Sequence, residues 1–277
     1  MISPLRSVLF APGNKAELLQ KLPKLSADGV VVDFEDSVPQ SEKKTARDNL
    51  REFGPLLAQE DFHTFVRTNS ISSGLLADDA SSLIPGLAGV IIPKIESQKD
   101  LKLAAQQLEG TPVEGKMLVG IETVAGLSSA KELLMSSGVI GAYFGAEDYV
   151  ADLGGVRTEE NIEVLFARSQ ITIAGRLAGI PVLDQIVADF NNIERFRKEA
   201  LEAKSLGFAG KLCIHPSQVE VANESFSPSS EEVARAKSLL KAYEEAVERG
   251  SASVAFDGQM VDEALAKQAR MLLARIQ

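Results

Sequence analysis

The 277-residue chain contains no tryptophan, one cysteine and two histidines. The single cysteine, Cys213, excludes an internal disulfide, and its place in the apolar run KLCIHP is typical of a buried small hydrophobic residue in a reducing compartment. The two histidines, His63 and His215, do not belong to any Cys/His cluster with ligand spacing, so a zinc site is disfavoured.

The chain also lacks a long apolar run and a basic patch. The N-terminal apolar stretch ends at Pro12 and Gly13, which makes it too short to span a bilayer and unlike a signal peptide. The 39 acidic residues outnumber the 29 basic ones, giving a formal charge of −10 that repels nucleic acid and anionic lipid. We therefore expect a cytoplasmic protein that binds neither nucleic acid nor a membrane.

What the chain has is a series of short apolar runs separated by segments with helical periodicity, the pattern of βα units around a parallel sheet. Eight runs are candidate strands: SVLFAPG from Ser7, GVVVDFED from Gly29, HTFVRTN from His63, AGVIIPK from Ala88, KMLVGIE from Lys116, VIGAYFGAED from Val139, PVLDQIV from Pro181 and GKLCIHP from Gly210. Eight units favour a closed (β/α)8 TIM barrel of the α/β class over an open doubly wound sheet.

Two helical segments bear on the predicted fold. Residues 159–179 place five apolar residues near one helical stripe, the arrangement by which a surface helix normally meets a core: Ile162, Leu165, Phe166, Ile173 and Leu177. After the eighth run the pattern changes, with the Ser229 and Glu232 spacing of a capping box and, later, a turn-like Asp257-Gly258 before an amphipathic helix. We predict a catalytic barrel over residues 1–222 and a helical extension over 223–277.

Charged residues follow the apolar runs directly: Asp33, Glu35 and Asp36 after the second, Arg67 after the third, Lys94 after the fourth, Glu122 after the fifth, and Glu147 and Asp148 after the sixth. Any one of them can simply mark where a strand stops. Together they predict a site, because the carboxyl ends of barrel strands meet at one face and converging carboxylates repel without a cation. Hard oxygen ligands suit Mg²⁺, and we expect Lys94 to form ion pairs rather than a Schiff base.

These residues resemble the citrate lyase β-subunit family, the CitE-like branch of the HpcH/HpaI aldolase superfamily, which includes malyl-CoA and citramalyl-CoA lyases. The likeness covers nearly the whole chain in the family's order: RSVLFAPGN, VVDFEDSVPQSEKKTAR, FVRTN, VIIPKIES, IETVAGL, FGAEDYVADLGG, GFAGKLCIHPSQ, FSPSSEE and DGQMVD.

The resemblance implies a role for each site residue. Glu122 and Asp148 look like the family's ligands to Mg²⁺, with Mn²⁺ as an alternative, and Glu122 would also contact the substrate. Arg67 resembles the substrate-binding arginine that stabilises negative charge. Glu35 and Asp36 match an acidic pair that acts catalytically through metal-bound water and Lys94. Asp262 resembles a catalytic acid/base that a C-terminal lid carries into the active site of a neighbouring subunit.

By the same resemblance, the protein would cleave a citryl-, malyl- or citramalyl-type 3-hydroxyacyl thioester, on CoA or an acyl carrier, into an acyl thioester and a 2-oxo acid. It would be a homotrimer or a higher multiple, alone or with citrate lyase complex subunits. Three alternatives stay open: an aldolase on free 2-oxo acids, a malate-synthase or thioesterase activity, and a noncatalytic acyl-CoA-binding subunit. Asp36, where the aldolase branch has His, disfavours the first. The last is disfavoured by the retained site residues Glu122, Asp148, Arg67 and Asp262.

Overall fold

The computed structural model describes residues 5–58 and 62–274. Eight parallel strands close into a barrel in chain order: β1 (Ser7–Pro12), β2 (Gly29–Asp33), β3 (His63–Arg67), β4 (Gly89–Ile92), β5 (Met117–Ile121), β6 (Val139–Phe144), β7 (Val182–Asp184) and β8 (Gly210–Cys213). The barrel closes where Val8 of β1 pairs with Leu212 of β8. The predicted fold is confirmed, and each of the eight predicted runs contains one strand.

Helices follow and cover the strands: α1 (Ala16–Leu19), α2 (Lys43–Leu57), α3 (Leu76–Ala80), α4 (Gln98–Gln107), α5 (Val124–Ser128), α6 (Ala130–Leu134), α7 (Ala146–Leu153), α8 (Leu165–Ala178), α9 (Ile193–Leu206) and α10 (Ser217–Phe226). Across the two described ranges, no helix has the length and apolarity that crossing a membrane requires. The chain divides into two compact units after Asn223, within α10.

The barrel interior is filled by one large side chain from each strand. They form a single buried cluster, together with Leu5: Val8, Val31, Phe65, Ile91, Leu118, Tyr143, Leu183 and Leu212. The neighbouring residues of the same strands point outward and are equally buried, as Val30 and Val32 of β2 show with 0% exposure. Because helices cover the outer surface, these strands are apolar on both faces, which is why they read as continuous hydrophobic runs.

The prediction that the apolar stripe of residues 159–179 faces the core is wrong. The helix α8 begins at Leu165, and the five apolar residues of that stripe are between 47% and 75% exposed. The buried face carries Ile171, several small residues and Arg168, which is 1% exposed because its guanidinium donates to both carboxylate oxygens of Asp184 at 3.0 and 3.1 Å. The inward face therefore combines Ile171 and small residues with a buried ion pair, and the large apolar residues of the predicted stripe are exposed.

The second unit consists of α11 (Ser230–Glu248), a hairpin of β9 (Val254–Phe256) and β10 (Gln259–Val261), and α12 (Glu263–Leu273). The predicted capping box is confirmed at the start of α11, where Ser229 and Glu232 cap each other's backbone amides. Asp257 and Gly258 form the hairpin turn with φ of 48° and 74°, the left-handed conformation that two-residue hairpin turns require.

A buried network of charges joins β7 and β8 to the helices outside them. The Lys211 ammonium lies 2.7 Å from Asp184 and 3.5 Å from Glu199 of α9, and all three side chains are 1% exposed or less. Arg168 lies on the other side of Asp184, and the half-buried Arg195 donates to Glu199 at 2.9 Å. Because Lys211 contacts both anions, removing it lowers the charge compensation of both in the core.

We expect Lys211→Met to lower the free energy of unfolding by about 3–5 kcal/mol, because Asp184 and Glu199 lose a buried counter-ion. Urea denaturation followed by circular dichroism measures the change. The control is Lys198→Met on the exposed side of α9, which should alter stability by about 0.5 kcal/mol or less. Equal effects in the two variants would contradict this account of the network.

Candidate active site

The site begins with an ion pair between adjacent strand ends. Asp33 closes β2 and is 1% exposed, and both of its oxygens accept hydrogen bonds from the guanidinium of Arg67 at the end of β3, at 2.6 and 2.7 Å. The Arg67 guanidinium also lies over the Phe10 ring, 5.1 Å from its centroid. Burial opposes ionisation of Asp33, but the charge and hydrogen bonds of Arg67 hold its pKa below the ordinary value. This bidentate geometry fixes the direction in which Arg67 points.

From Arg67 the charges alternate across the face of the barrel. Its Nη1 lies 3.0 Å from Glu35, and the other oxygen of Glu35 accepts a hydrogen bond from Lys94 Nζ at 2.9 Å. Lys94 also pairs with Asp36 at 3.2 Å and reaches Asp148 at 3.7 Å. The predicted pairing of Lys94 with Glu35 and Asp36 is thus present. Burial opposes the charge of Lys94, yet the hydrogen bond and charge of Glu35 raise its pKa.

Lys94 adopts an unusual backbone conformation that brings both of its ends into the site. Its φ is 54°, in the left-handed region that residues with a side chain rarely adopt. Its backbone N–H donates to Glu122 Oε1 at 3.3 Å while its ammonium contacts the carboxylates described above. Backbone strain of this kind persists where surrounding contacts hold it, and such positions cluster at functional sites.

Glu122 lies in a close-fitting recess directly after β5. Glu122 is 2% exposed, and Tyr143 of β6 donates its hydroxyl hydrogen to Glu122 Oε1. A Cβ at Gly120 would lie 2.3 Å from that oxygen, and a Cβ at Gly145 would lie 2.6 Å from Glu122 Cγ. Only glycine leaves room at either position. Burial, and then the charge of Glu35, raise the pKa of Glu122 to about 8.

Asp148 lies in the first turn of α7, which starts at the end of β6. The side chain is 45% exposed and lines the same cavity as Glu122 and Arg67. The helix begins after Gly145 without a side-chain cap, so the amides of its first turn are available to an anion at the cavity. One helix end therefore offers a carboxylate and amide donors side by side.

The cavity itself has a volume of about 390 Å³ and two unlike sides. The ends of β2, β3, β5 and β6 supply charged groups, whereas β7, β8 and β1 supply Ile186, Leu212, Ile214 and Phe10. The structure thus brings Arg67, Asp36, Glu122 and Asp148 to one cavity, with Glu35 linked to them through its ion pairs.

The carboxylates suit a magnesium ion. Both hydrogen bonds that Glu122 receives within the described ranges go to Oε1, which leaves Oε2 for an external cation. A buried carboxylate with a raised pKa gains charge compensation from such a cation. The same ranges contain no group of three or more His, Cys, Asp or Glu side chains arranged to hold a metal. Two carboxylates with open positions fit Mg²⁺, which retains water or substrate oxygens.

Asp262 lies outside the barrel unit and has a local structural task. It is the N-cap of α12, and its Oδ1 accepts hydrogen bonds from the backbone amides of Ala264 and Leu265 at 3.0 and 3.2 Å. Among the described residues, the sequence interpretation had missed Tyr143, Gly120 and Gly145 as parts of the Glu122 recess. Gly145, which directly precedes Ala146, Glu147 and Asp148, could have been recognised from the sequence as part of the site. Nothing in the sequence indicated that Tyr143 belongs to it.

The protein has an α/β barrel with carboxylates and an arginine at the carboxyl ends of its strands. This arrangement is that of a TIM-barrel enzyme. Comparison with known proteins identifies the family. The model of the HpcH/HpaI aldolase/citrate lyase family matches residues 6–216, so the chain belongs to that family. The family predicted from the sequence motifs is confirmed.

Named relatives cover nearly the whole chain. A citrate lyase subunit beta-like protein of Deinococcus radiodurans is 45% identical, covering 98% of this chain and 96% of the relative. The mitochondrial citramalyl-CoA lyase of Homo sapiens is 32% identical over 96% of this chain and 84% of the relative. The CitE protein of Mycobacterium tuberculosis, solved with magnesium, acetoacetate and coenzyme A, is 30% identical with a TM-score of 0.85, covering 99% of each chain. The predicted enzyme class, a lyase, is confirmed by these relatives.

The glycine beside Glu122 provides a test of the recess. We expect Gly145→Ala to weaken Mn²⁺ binding by about 10- to 100-fold, the usual cost of disturbing a ligand's support, because the new methyl group displaces the Glu122 side chain. Equilibrium dialysis measures the affinity. Gly155→Ala is the matched control, since its Cβ would meet only ordinary contacts at 3.4 Å or more. Unchanged affinity in Gly145→Ala would show that Glu122 does not hold the cation.

Proposed function

We propose that the protein is a Mg²⁺-dependent carbon–carbon lyase that cleaves a 3-hydroxyacyl thioester into an acyl thioester and a 2-oxo acid. The observation that carries the proposal is the buried Glu122 carboxylate, whose Oε2 is left open in the cavity that Asp148 and the uncapped start of α7 also line. Relatives named citramalyl-CoA lyase and citrate lyase subunit beta support the reaction type, and CitE with magnesium and coenzyme A supports the ligands.

Glu122 and Asp148 would hold the cation, and the first-turn amides of α7 would bind the substrate's carboxylate. When bound, Mg²⁺ supplies Lewis acidity to the oxygen that becomes the 2-oxo group. Glu35 and Asp36 would orient water at the cation site, and Lys94 balances their charge. Arg67, held in place by Asp33, points its remaining donors at the thioester oxygen and stabilises negative charge there.

The protons and electrons then balance within the substrate and the protein. The Asp262 carboxylate takes the hydroxyl proton, the hydroxyl oxygen becomes the oxo group, and the carbon–carbon bond breaks with its electron pair delocalised onto the thioester as an enolate. A proton delivered to the enolate carbon completes the acyl thioester. We assign that delivery to Asp262, a carboxyl group that exchanges one proton. Arg67 stabilises the enolate oxygen in the meantime.

Asp262 would act on the site of a neighbouring subunit in a homotrimer or a higher multiple. Support for an oligomer comes from the outer side of α8, where Phe166, Ile173 and Leu177 expose 75%, 61% and 58% of their surface. Exposed apolar groups gathered on one helix are typical of surfaces that a partner chain covers. We also place the protein in the cytoplasm, with CoA or an acyl carrier protein as the thioester carrier and citrate lyase subunits as candidate partners.

The reaction is tested by incubating the protein with malyl-, citramalyl- and citryl-CoA and Mg²⁺ and measuring the acyl-CoA and 2-oxo acid formed. We expect turnover of at least one thioester, its loss after exhaustive chelation, and its recovery with Mg²⁺ or Mn²⁺. Glu122→Gln and Asp148→Asn should each weaken Mn²⁺ binding without unfolding the barrel, because an amide replaces an anionic ligand. Hydrolysis to the free hydroxy acid would indicate a thioesterase, and no product at all would support a noncatalytic binding subunit.

The shared site is tested by mixing two inactive variants. Asp262→Asn should keep the α12 cap, since asparagine is an equally good N-cap, but lose turnover because an amide cannot exchange the proton. Glu122→Gln should keep Asp262 and lose the cation site. If the two are unfolded together and reassembled in equal amounts, about a quarter of the sites in a symmetric ring combine both intact parts.

Activity should therefore return in the mixed oligomers, to about a quarter of the wild-type level. The composition of the oligomers is checked by native mass spectrometry. If mixed oligomers form and stay inactive, Asp262 does not serve a neighbouring barrel. Asp262→Ala, which removes the cap as well as the carboxyl, separates a structural loss from a catalytic one through its denaturation midpoint.

A further inference from the structure

The two unlike sides of the active-site cavity bear on which 2-oxo acid the enzyme releases. Five carboxylates line the cavity, and across the described part of the chain its only cationic lining group is Arg67. That guanidinium is already paired with Asp33 and Glu35. Two other cations pair with carboxylates of the lining, and both are already held: Lys94 by Glu35, Asp36 and Asp148, and Arg157 by Glu147 and Glu163.

The remaining side of the cavity is apolar. Phe10 and Leu212 belong to β1 and β8 and pack with the interior cluster, while Ile186 and Ile214 follow the ends of β7 and β8. These strands are neighbours in the barrel, so the four side chains form one continuous wall. In the described ranges, this wall offers no hydrogen-bond donor and no charge to a substrate group placed against it.

We infer that the enzyme prefers thioesters whose carbinol carbon carries a small alkyl group, such as methyl, over those that carry a carboxymethyl group. This inference rests on the proposed function and specifies its substrate class. The substrate's first carboxylate is served by the cation and the amides of α7, and Arg67 serves the thioester oxygen. A second carboxylate would face the wall of Ile186 and Ile214 or the site's own carboxylates, whereas a methyl group would bury apolar surface against that wall.

Two effects set the size of the preference: a gain for the methyl group and a penalty for the second carboxylate. One methyl group in an apolar pocket is worth about 10- to 200-fold in specificity. A buried carboxylate without a partner is penalised by at least a comparable factor. The expected order of kcat/KM is methyl, then hydrogen, then carboxymethyl, which corresponds to citramalyl-, malyl- and citryl-CoA. The 2-oxo acids released would be pyruvate, glyoxylate and oxaloacetate.

The test compares kcat/KM for these three thioesters and, separately, the affinity of the Mg²⁺-loaded protein for pyruvate and oxaloacetate by calorimetry. We expect the methyl substrate to exceed the carboxymethyl substrate by about tenfold or more, and pyruvate to bind more tightly than oxaloacetate. Ile186→Arg should shift both ratios toward the carboxymethyl compound by about tenfold, since it adds the missing cation. Leu56→Arg, on the exposed side of α2, should leave both ratios unchanged.

A wild-type preference for citryl-CoA together with tighter binding of oxaloacetate would overturn the inference, as would equal values for the two classes. An unchanged ratio in Ile186→Arg would exclude the wall as its cause. Failure to cleave any of the three thioesters would instead defeat the proposed lyase function, and the calorimetric comparison would still decide whether the cavity selects an alkyl group.

Discussion

The bidentate pair of Asp33 and Arg67 is the contact on which the rest of the site depends. It joins the ends of two adjacent strands, and it holds the guanidinium with one group free to meet Glu35. From there the alternation of charges continues through Lys94 to Asp36 and Asp148. Each carboxylate therefore has a cation beside it except Glu122, whose hydrogen bonds come from a phenol and a backbone amide within the described chain.

The sequence predicted the barrel well because its signals are local. Strands covered on both faces are apolar throughout, so each of the eight runs contains a strand, and the charged residues that follow them meet at one face. The capping box of Ser229 and Glu232 and the Asp257-Gly258 turn depend only on neighbours along the chain, and both are present. The motifs added the family, which composition and periodicity could not supply.

What the sequence could not predict depends on contacts between distant residues. The predicted inward face of α8 is wrong because that face is built from Ile171, small residues and Arg168, which is buried by its pairing with Asp184, 16 positions later in the chain. Tyr143 belongs to the interior cluster by its ring and to the Glu122 recess by its hydroxyl, and only the fold brings those two settings together. Nor did spacing show that Asp262 caps a helix.

Lys94 supplies the positive charge that allows several carboxylates to lie close together at the cavity. Its left-handed backbone turns the N–H toward Glu122 while the side chain extends to the opposite group of acids, an arrangement that an extended strand residue would not allow. The ammonium neutralises the acids that would orient water, and the recess between Gly120 and Gly145 keeps Glu122 apart from it. One lysine thus divides the acidic groups into a set that is already paired and a carboxylate whose open oxygen is left for an external cation.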